Sequence, residues 1–282
     1  MKVIEDIAGI RQEIKELKLQ GKRISFVPTM GALHAGHRSL FHMAHEDADI
    51  VVVSIYVNPE QFGPNEDFAE YPRQLEADLD VCKKENIDIV FTPTDQIIYG
   101  DEKFLHIEID TLADHMDGGS RPGYFNGILL VVNKLFNIIQ PHSAVFGQKD
   151  IQQFILIDKM VQEFNHDLDM LMAPVARAED GLALSSRNAY LTDEERAIAP
   201  SLQASMQHIR QKVLTGAREV RELLETQKDE LIKKGFKFDY LSFYSTIDLS
   251  PISMLKDGEQ YILAGAVYAG KTRLIDNLLI QL

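Results

Sequence analysis

Short apolar, β-branched runs alternate with helical patterns through the first two thirds of this 282-residue chain, and this alternation constrains its fold most. The runs Arg23-Ile-Ser-Phe-Val27, Asp49–Val57, Ile87-Asp-Ile-Val-Phe91, Ser143-Ala-Val-Phe146 and Leu168-Asp-Met-Leu-Met172 read as strands. Helical stretches lie between them near residues 3–20, 37–46, 72–85, 124–139 and 150–164. A strand that is apolar at successive positions has no face to give to water, so it belongs in a parallel sheet covered by helices on both sides. The expected fold is α/β: a Rossmann-like, doubly wound parallel sheet with ligands at the carboxyl ends of its strands.

The pattern changes after about residue 177. Two charged helical segments follow, near 193–213 and 217–234, the first opening on Thr192-Asp-Glu-Glu, an N-cap with an acidic first turn. Three strand-like runs come next, Phe238–Ser245, Gln260–Tyr268 and Arg273–Ile280, with Gly258 and Gly270 marking turns before the last two. The expectation is a smaller C-terminal α+β domain with an antiparallel sheet, dividing the chain into 1–176 and 177–282 with the break between Pro174 and Ser186.

Charge narrows the function. The formal net charge of −14 gives a field that repels polyanions, which argues against a nucleic-acid partner. An anionic small molecule would need a local cluster of cations, which screening over about 8 Å isolates from the acidic surface elsewhere. The single cysteine, Cys82, has no internal partner and fits a reducing compartment. The acidic, amphipathic start predicts no secretory signal, and no apolar run approaches the roughly 20 residues of a membrane helix. A cytoplasmic protein with no membrane partner is expected.

Val27-Pro-Thr-Met-Gly-Ala-Leu-His-Ala-Gly-His37 sits where the first of these strands hands over to a helix. Gly31 and Gly36 permit close backbone approach, and His34 and His37, three apart, point to one side at a helix start. Backbone N–H groups and the positive end of the helix dipole gather there as well, which suits phosphate. The same two histidines could instead cap the helix or hold a metal, and sequence does not decide which imidazole form operates.

His34-Ala-Gly-His37 resembles the HxGH signature of the nucleotidyltransferase superfamily. Four further segments resemble the pantothenate synthetase (pantoate–β-alanine ligase) family in order and spacing: Val57–Gly63, Arg121-Pro-Gly123, Phe146–Gln153 and Asp180–Asn188. The resemblance runs essentially end to end. It implies ATP-dependent condensation of pantoate with β-alanine through a pantoyl adenylate, with Mg²⁺ accompanying ATP as co-substrate and a homodimer as the assembly.

The residues carry this reading one by one. Asn58 and Gln61 lie at the end of a valine-rich strand, where carboxamides can donate to and accept from hydroxyls and carboxylates; Asn58 could equally make an Asn-Pro strand-end turn. The resemblance makes Gln61 and Gln153 pantoate ligands, with Gln61 also walling the β-alanine site. Gly147-Gln-Lys-Asp150 repeats the strand–glycine–helix geometry, with Lys149 offering charge to a phosphate and Asp150 either meeting ribose hydroxyls or capping the helix. Ser185-Ser-Arg-Asn188 resembles the family's counterpart of a mobile KMSKS loop, so Ser185, Ser186 and Arg187 would grip the leaving phosphates, carried onto ATP by a moving second domain. The resemblance adds Met30 and Gly147 to the ATP site and gives Ala176 a backbone contact to adenine. Arg121 either contacts substrate or orders the loop ahead of Tyr124. Asp78, near Asp80, is either a metal neighbour or part of a solvated helix face. Gly63–Pro72 is expected to cover the intermediate.

Departures from the family pattern are small: Gln148 where glutamate is common, Ala176 where valine is common, and Leu184 for a common methionine. Two other readings share HxGH, a transferase that stops at a nucleotide-linked product and a non-catalytic nucleotide sensor. The transferase gives Gln61 and Gln153 no joint role, and the sensor predicts ATP binding without pyrophosphate release.

Overall fold

The apolar runs form the parallel sheet their sequence predicts, and one further short strand joins its edge. In the computed structural model, which describes every residue except Pro64, Asn65 and Asp67, six strands pair in parallel. They are β1 (Lys2–Ile4), β2 (Ile24–Thr29), β3 (Ile50–Ile55), β4 (Ile89–Phe91), β5 (Ser143–Gly147) and β6 (Asp169–Ala173), in the order β1-β4-β3-β2-β5-β6. Val51, Val52 and Val53 of β3 are all fully buried, which explains why β3 shows no polar alternation. The strand order reverses between β2 and β5, which puts the topological switch point at their carboxyl ends.

The helices of this part of the chain are α1 (Ile7–Leu19), α2 (Ala35–Asp47), α3 (Leu75–Lys84), α4 (Asp95–Tyr99), α5 (Met116–Ser120), α6 (Tyr124–Ile139) and α7 (Ile151–Glu163). Phe41 and Ala44 of α2 and Cys82 of α3 pack with Val27, Val51, Val53, Val145 and Ala173 of the sheet. Phe136 of α6 meets Phe26 and Phe146 edge to face, each with ring centroids 6.3 Å apart. The first expected helix starts later than its pattern suggests: Lys2–Ile4 pairs with β4, and Asp6 then caps α1 by accepting from the N–H of Gly9 at 2.8 Å.

The chain divides into two compact units. The first comprises Met1–Asp110, Arg121–Gly147 and Gln153–Pro174; the second comprises Thr111–Ser120, Gln148–Gln152 and Val175–Leu282. A single linear break near residue 176 does not anticipate the two short segments of the second unit, whose bonds are long-range. Gln152, 1% exposed, accepts from the N–H of Gly118 at 3.2 Å and donates to the carbonyls of Leu112 and His115 at 3.2 and 2.9 Å.

In the second unit α8 (Asp193–Ile198), α9 (Ser201–Leu214) and α10 (Val220–Lys233) accompany an antiparallel sheet. Its strands are β7 (Lys237–Ser245), β8 (Pro251–Ile252), β9 (Gln260–Ala269) and β10 (Thr272–Gln281), ordered β10-β9-β7-β8. Arg273 of β10 pairs with Asp117 of α5 at 2.7 Å and with Asp239 of β7 at 2.9 Å, fixing the 111–120 segment to this sheet. The helix expected over 193–213 breaks at Pro200, which lacks an N–H to continue α8. Thr192 and Glu195 close a reciprocal capping box at the start of α8.

Candidate active site

The loop between β2 and α2 is held in an unusual shape by one buried carboxylate. Gly31 and Ala32 adopt left-handed backbone angles, with φ of 80° and 50°. Asp78 of α3, 1% exposed, accepts from the N–H groups of Ala32 and Leu33 at 2.9 and 2.8 Å. A Cβ on residue 31 would lie 2.7 Å from Asp78 Oδ2, so both dihedral and space require glycine there. Asp78 is thus a buried brace of the loop and not part of a solvated helix face, whereas Asp80 is exposed and paired with Lys83 at 3.4 Å. No group of three or more His, Cys, Asp or Glu side chains arranged for a metal occurs among the described residues.

That loop delivers His34 and His37 to the amino end of the 13-residue α2, at the switch point. His34 is the N-cap: its Nδ1 accepts from the N–H of Gly36 at 3.0 Å, and its own N–H donates to His37 Nδ1 at 3.2 Å. The two rings are 4.2 Å apart between centroids. A backbone N–H can only donate, so both Nδ1 atoms are acceptors and both rings are held as the neutral form with hydrogen on Nε2. Capping and phosphate binding are therefore compatible, since capping uses Nδ1 and places the donor on the opposite nitrogen of each ring.

Gln61 ends a 3-10 turn (Pro59–Gln61) after β3, and Asn58 caps it by accepting from the N–H of Glu60. Gln61 Nε2 lies 2.9 Å from the sulfur of Met30, so these three sequence candidates share one surface with the β2–α2 loop. Arg121 holds the loop after β3. It donates to both oxygens of Glu66 at 2.6 and 2.5 Å and to the carbonyl of Gln61 at 3.3 Å, with its guanidinium 3.3 Å from the centre of the Tyr124 ring. Burial works against its charge, but the Glu66 pair prevails and holds its pKa above the ordinary value. The expected cover, Gly63–Pro72, includes Pro64, Asn65 and Asp67, which lie outside the described residues. Gly147 ends β5, and Gln153 stands in the first turn of α7. Cys82 offers no nucleophile, because burial and then Asp78 push its thiol up to about 12.

A model of the family described as pantoate-beta-alanine ligase matches residues 2–279. The chain belongs to the pantoate–β-alanine ligase family. It is a ligase that joins pantoate to β-alanine. It is similar to the solved pantothenate synthetase of Thermus thermophilus, 36% identical with TM-score 0.91 over 99% of each chain. It is also similar to a Francisella tularensis pantoate–β-alanine ligase solved in complex with β-γ ATP and β-alanine. That match is 35% identical, with TM-score 0.79, covering 99% of this chain and 97% of the other.

The ligase's remaining candidates lie in the second unit. Lys149 and Asp150 share a 3-10 turn (Gln148–Asp150) and an ion pair of 3.7 Å. The turn is pinned by Asn277 of β10, 1% exposed, which donates to the carbonyls of Gln148 and Lys149 at 2.8 and 2.9 Å and accepts from Gln148 Nε2 at 3.1 Å. Sequence reasoning missed Asn277, because its role depends on a partner some 128 residues away. Ala176 opens a small hairpin: its carbonyl accepts from Leu184 N–H at 2.9 Å. Arg177 braces the hairpin by donating to both oxygens of Asp276, at 2.6 and 2.8 Å, and to the carbonyl of Gly181 at 3.1 Å. Ser185 follows as the cap of a 3-10 turn (Ser186–Tyr190), its hydroxyl accepting from Arg187 N–H at 3.3 Å. The Ser185–Asn188 motif is thus an ordered turn carried on an anchored hairpin.

Proposed function

We propose that the ligase activates pantoate with ATP and passes through a pantoyl adenylate. The pantoate carboxylate attacks the α-phosphorus, an O–P bond forms as the bond to pyrophosphate breaks, and pyrophosphate leaves. The free amine of β-alanine then attacks the acyl carbon, loses a proton, and expels AMP. The observation that carries this reading is the His34–His37 pair, both rings held as Nε2–H donors at the amino end of α2. Fixed N–H donors and a helix dipole stabilise charge on phosphate without reorganising as it develops.

In this proposal Met30, His34, His37, Gly147, Lys149, Asp150, Ala176, Ser185, Ser186 and Arg187 bind ATP, and Gln61 and Gln153 bind pantoate, with Gln61 also walling the β-alanine site; Asn58, 1% exposed with its amide engaged by Gly127 and Gln61, stands behind Gln61 and not against the substrate. Arg121 acts through Glu66 and Gln61. Catalysis is then positioning and charge stabilisation, of which orientation alone can supply roughly 7–11 kcal/mol. The use of ATP is supported by the bound nucleotide of the Francisella relative. Mg²⁺ enters as part of the substrate, held largely by phosphate and water, because it dehydrates reluctantly. The family resemblance supports a homodimer, and the single buried Cys82 supports a cytoplasmic enzyme.

The test separates the half-reactions. His37→Ala and Lys149→Ala are each expected to slow pyrophosphate formation about a hundredfold, the usual cost of one donor to transition-state charge. Synthetic pantoyl adenylate with β-alanine should show a smaller defect in Lys149→Ala, because pyrophosphate has already gone. Equal losses in both half-reactions, with the fold intact, would refute the assignment of Lys149 to the leaving phosphates.

A further inference from the structure

The bonds around Asn58 determine which end of the Gln61 carboxamide can meet a ligand. Asn58 is 1% exposed, its Oδ1 accepting from the N–H of Glu60 at 3.3 Å and its Nδ2 donating to the carbonyl of Gly127 at 3.2 Å. Those partners are backbone groups of fixed polarity, so the orientation of the Asn58 amide follows from them. The approach is tight: a Cβ on residue 127 would lie 2.0 Å from the carbonyl oxygen of Glu60, so only glycine lets α6 come this close to the turn. The second hydrogen on Asn58 Nδ2 goes to Gln61 at 3.2 Å, and the atom receiving it must be the acceptor, Oε1. Gln61 therefore turns its Nε2 the other way, toward the sulfur of Met30 at 2.9 Å. A thioether is a weak acceptor, and a ligand oxygen is a better partner for that N–H.

Tyr99 stands behind this arrangement. Its hydroxyl, at the end of α4, donates to Asn58 Oδ1 at 2.6 Å, much closer than the 3.3 Å contact from Glu60. The ring is buried and flanked by the ammonium groups of Lys103 and Lys134, 4.6 and 5.6 Å from its centre. Burial, then Glu60 and Asp95, raise the pKa of the phenol, so it remains a donor at any working pH. Removing the hydroxyl leaves Asn58 Oδ1 with the long bond from Glu60 alone, and Asn58 is what orients Gln61.

We infer that Tyr99 is a positioning residue for pantoate: through Asn58 it holds Gln61 with its NH₂ presented to an oxygen of that substrate. The inference rests on the proposed assignment of Gln61 to pantoate. It aims the Gln61 NH₂ at the substrate, selecting for a carboxylate or hydroxyl oxygen there.

Tyr99→Phe removes one oxygen and keeps the ring. Losing a neutral hydrogen bond predicts a roughly three- to tenfold rise in the KM for pantoate, with the KM for ATP within about twofold of wild type. In a Gln61→Ala background the same change should add nothing, since the group it orients is gone. If Gln61→Ala itself leaves the pantoate KM unchanged, the assignment of Gln61 fails and the inference fails with it. If Gln61→Ala raises that KM but Tyr99→Phe does not, the relay alone is overturned. It is likewise overturned if Tyr99→Phe shifts both KM values equally or adds its full effect to Gln61→Ala.

Discussion

Asp78→Asn is the sharpest single perturbation of the β2–α2 loop, because it exchanges one oxygen of a buried carboxylate for an NH₂ and leaves the shape of the group unchanged. The carboxylate accepts two backbone N–H groups at 2.9 and 2.8 Å, and asparagine can accept only one of them. Its NH₂ would then face a buried N–H, donor against donor. A hydrogen bond to a charged group contributes about 1.5–3 kcal/mol, and a stranded buried N–H costs about 1–3 kcal/mol. The two together predict a loss of roughly 3 kcal/mol or more, or about 6–12 °C in Tm at about 2–4 °C per kcal/mol. Catalysis should suffer as well. Ala32 at φ 50° is a strained conformation worth about 1 kcal/mol that persists only while its surroundings hold it. With the loop released, the His34 cap shifts, and pyrophosphate formation should fall by up to about a hundredfold, the cost of one phosphate donor lost outright. Thermal melting by circular dichroism and a pyrophosphate assay measure the two effects. A variant melting within about 1 °C of wild type at full activity would refute the reasoning.

Asn277→Leu should loosen the Lys149 turn by leaving the carbonyls of Gln148 and Lys149 unpaired, raising the KM for ATP roughly tenfold while sparing that for pantoate. Equal changes in both KM values would count against it. Stability should fall as pH drops below about 6.5, the ordinary value for histidine. Burial, followed for His142 by Lys18 and Arg23, lowers the pKa of His142 and of His166, so the unfolded chain binds more protons than the folded one in that range. Urea midpoints at about pH 7.5 and about pH 5.5, either side of that value, check this, and a midpoint no lower in the more acidic buffer would contradict it.

What could be read from the residues was local. The valine run of β3, the caps at His34 and Thr192, and the Gly258 and Gly270 turns each declare themselves within a few positions, whereas the order of the strands in the sheet does not. β1 was hidden because three residues carry too short a pattern to separate from the helix that follows them. The helix over 193–213 concealed its break because apolar spacing runs on through Pro200. At the site, the histidines were legible as a motif, but their tautomers were not, since these depend on which N–H each ring receives. Asp78 read as a metal neighbour or a solvated acid because helix position alone does not reveal that it reaches back to amides some 45 residues earlier. Tyr99, Gln152 and Asn277 carried no local signal at all, as each acts on backbone or side-chain groups supplied by a distant stretch of chain.

The central claim is that pantoate is activated by forming a bond from its carboxylate oxygen to phosphorus, and isotope transfer tests it directly. Pantoate labelled with ¹⁸O in the carboxylate should deliver one labelled oxygen to AMP when the wild-type enzyme completes the reaction with β-alanine. Mass spectrometry of the AMP reads this without ambiguity. AMP free of label, with both labelled oxygens absent from it while pantothenate still forms, would contradict the adenylate and with it the roles proposed for His34, His37 and Lys149.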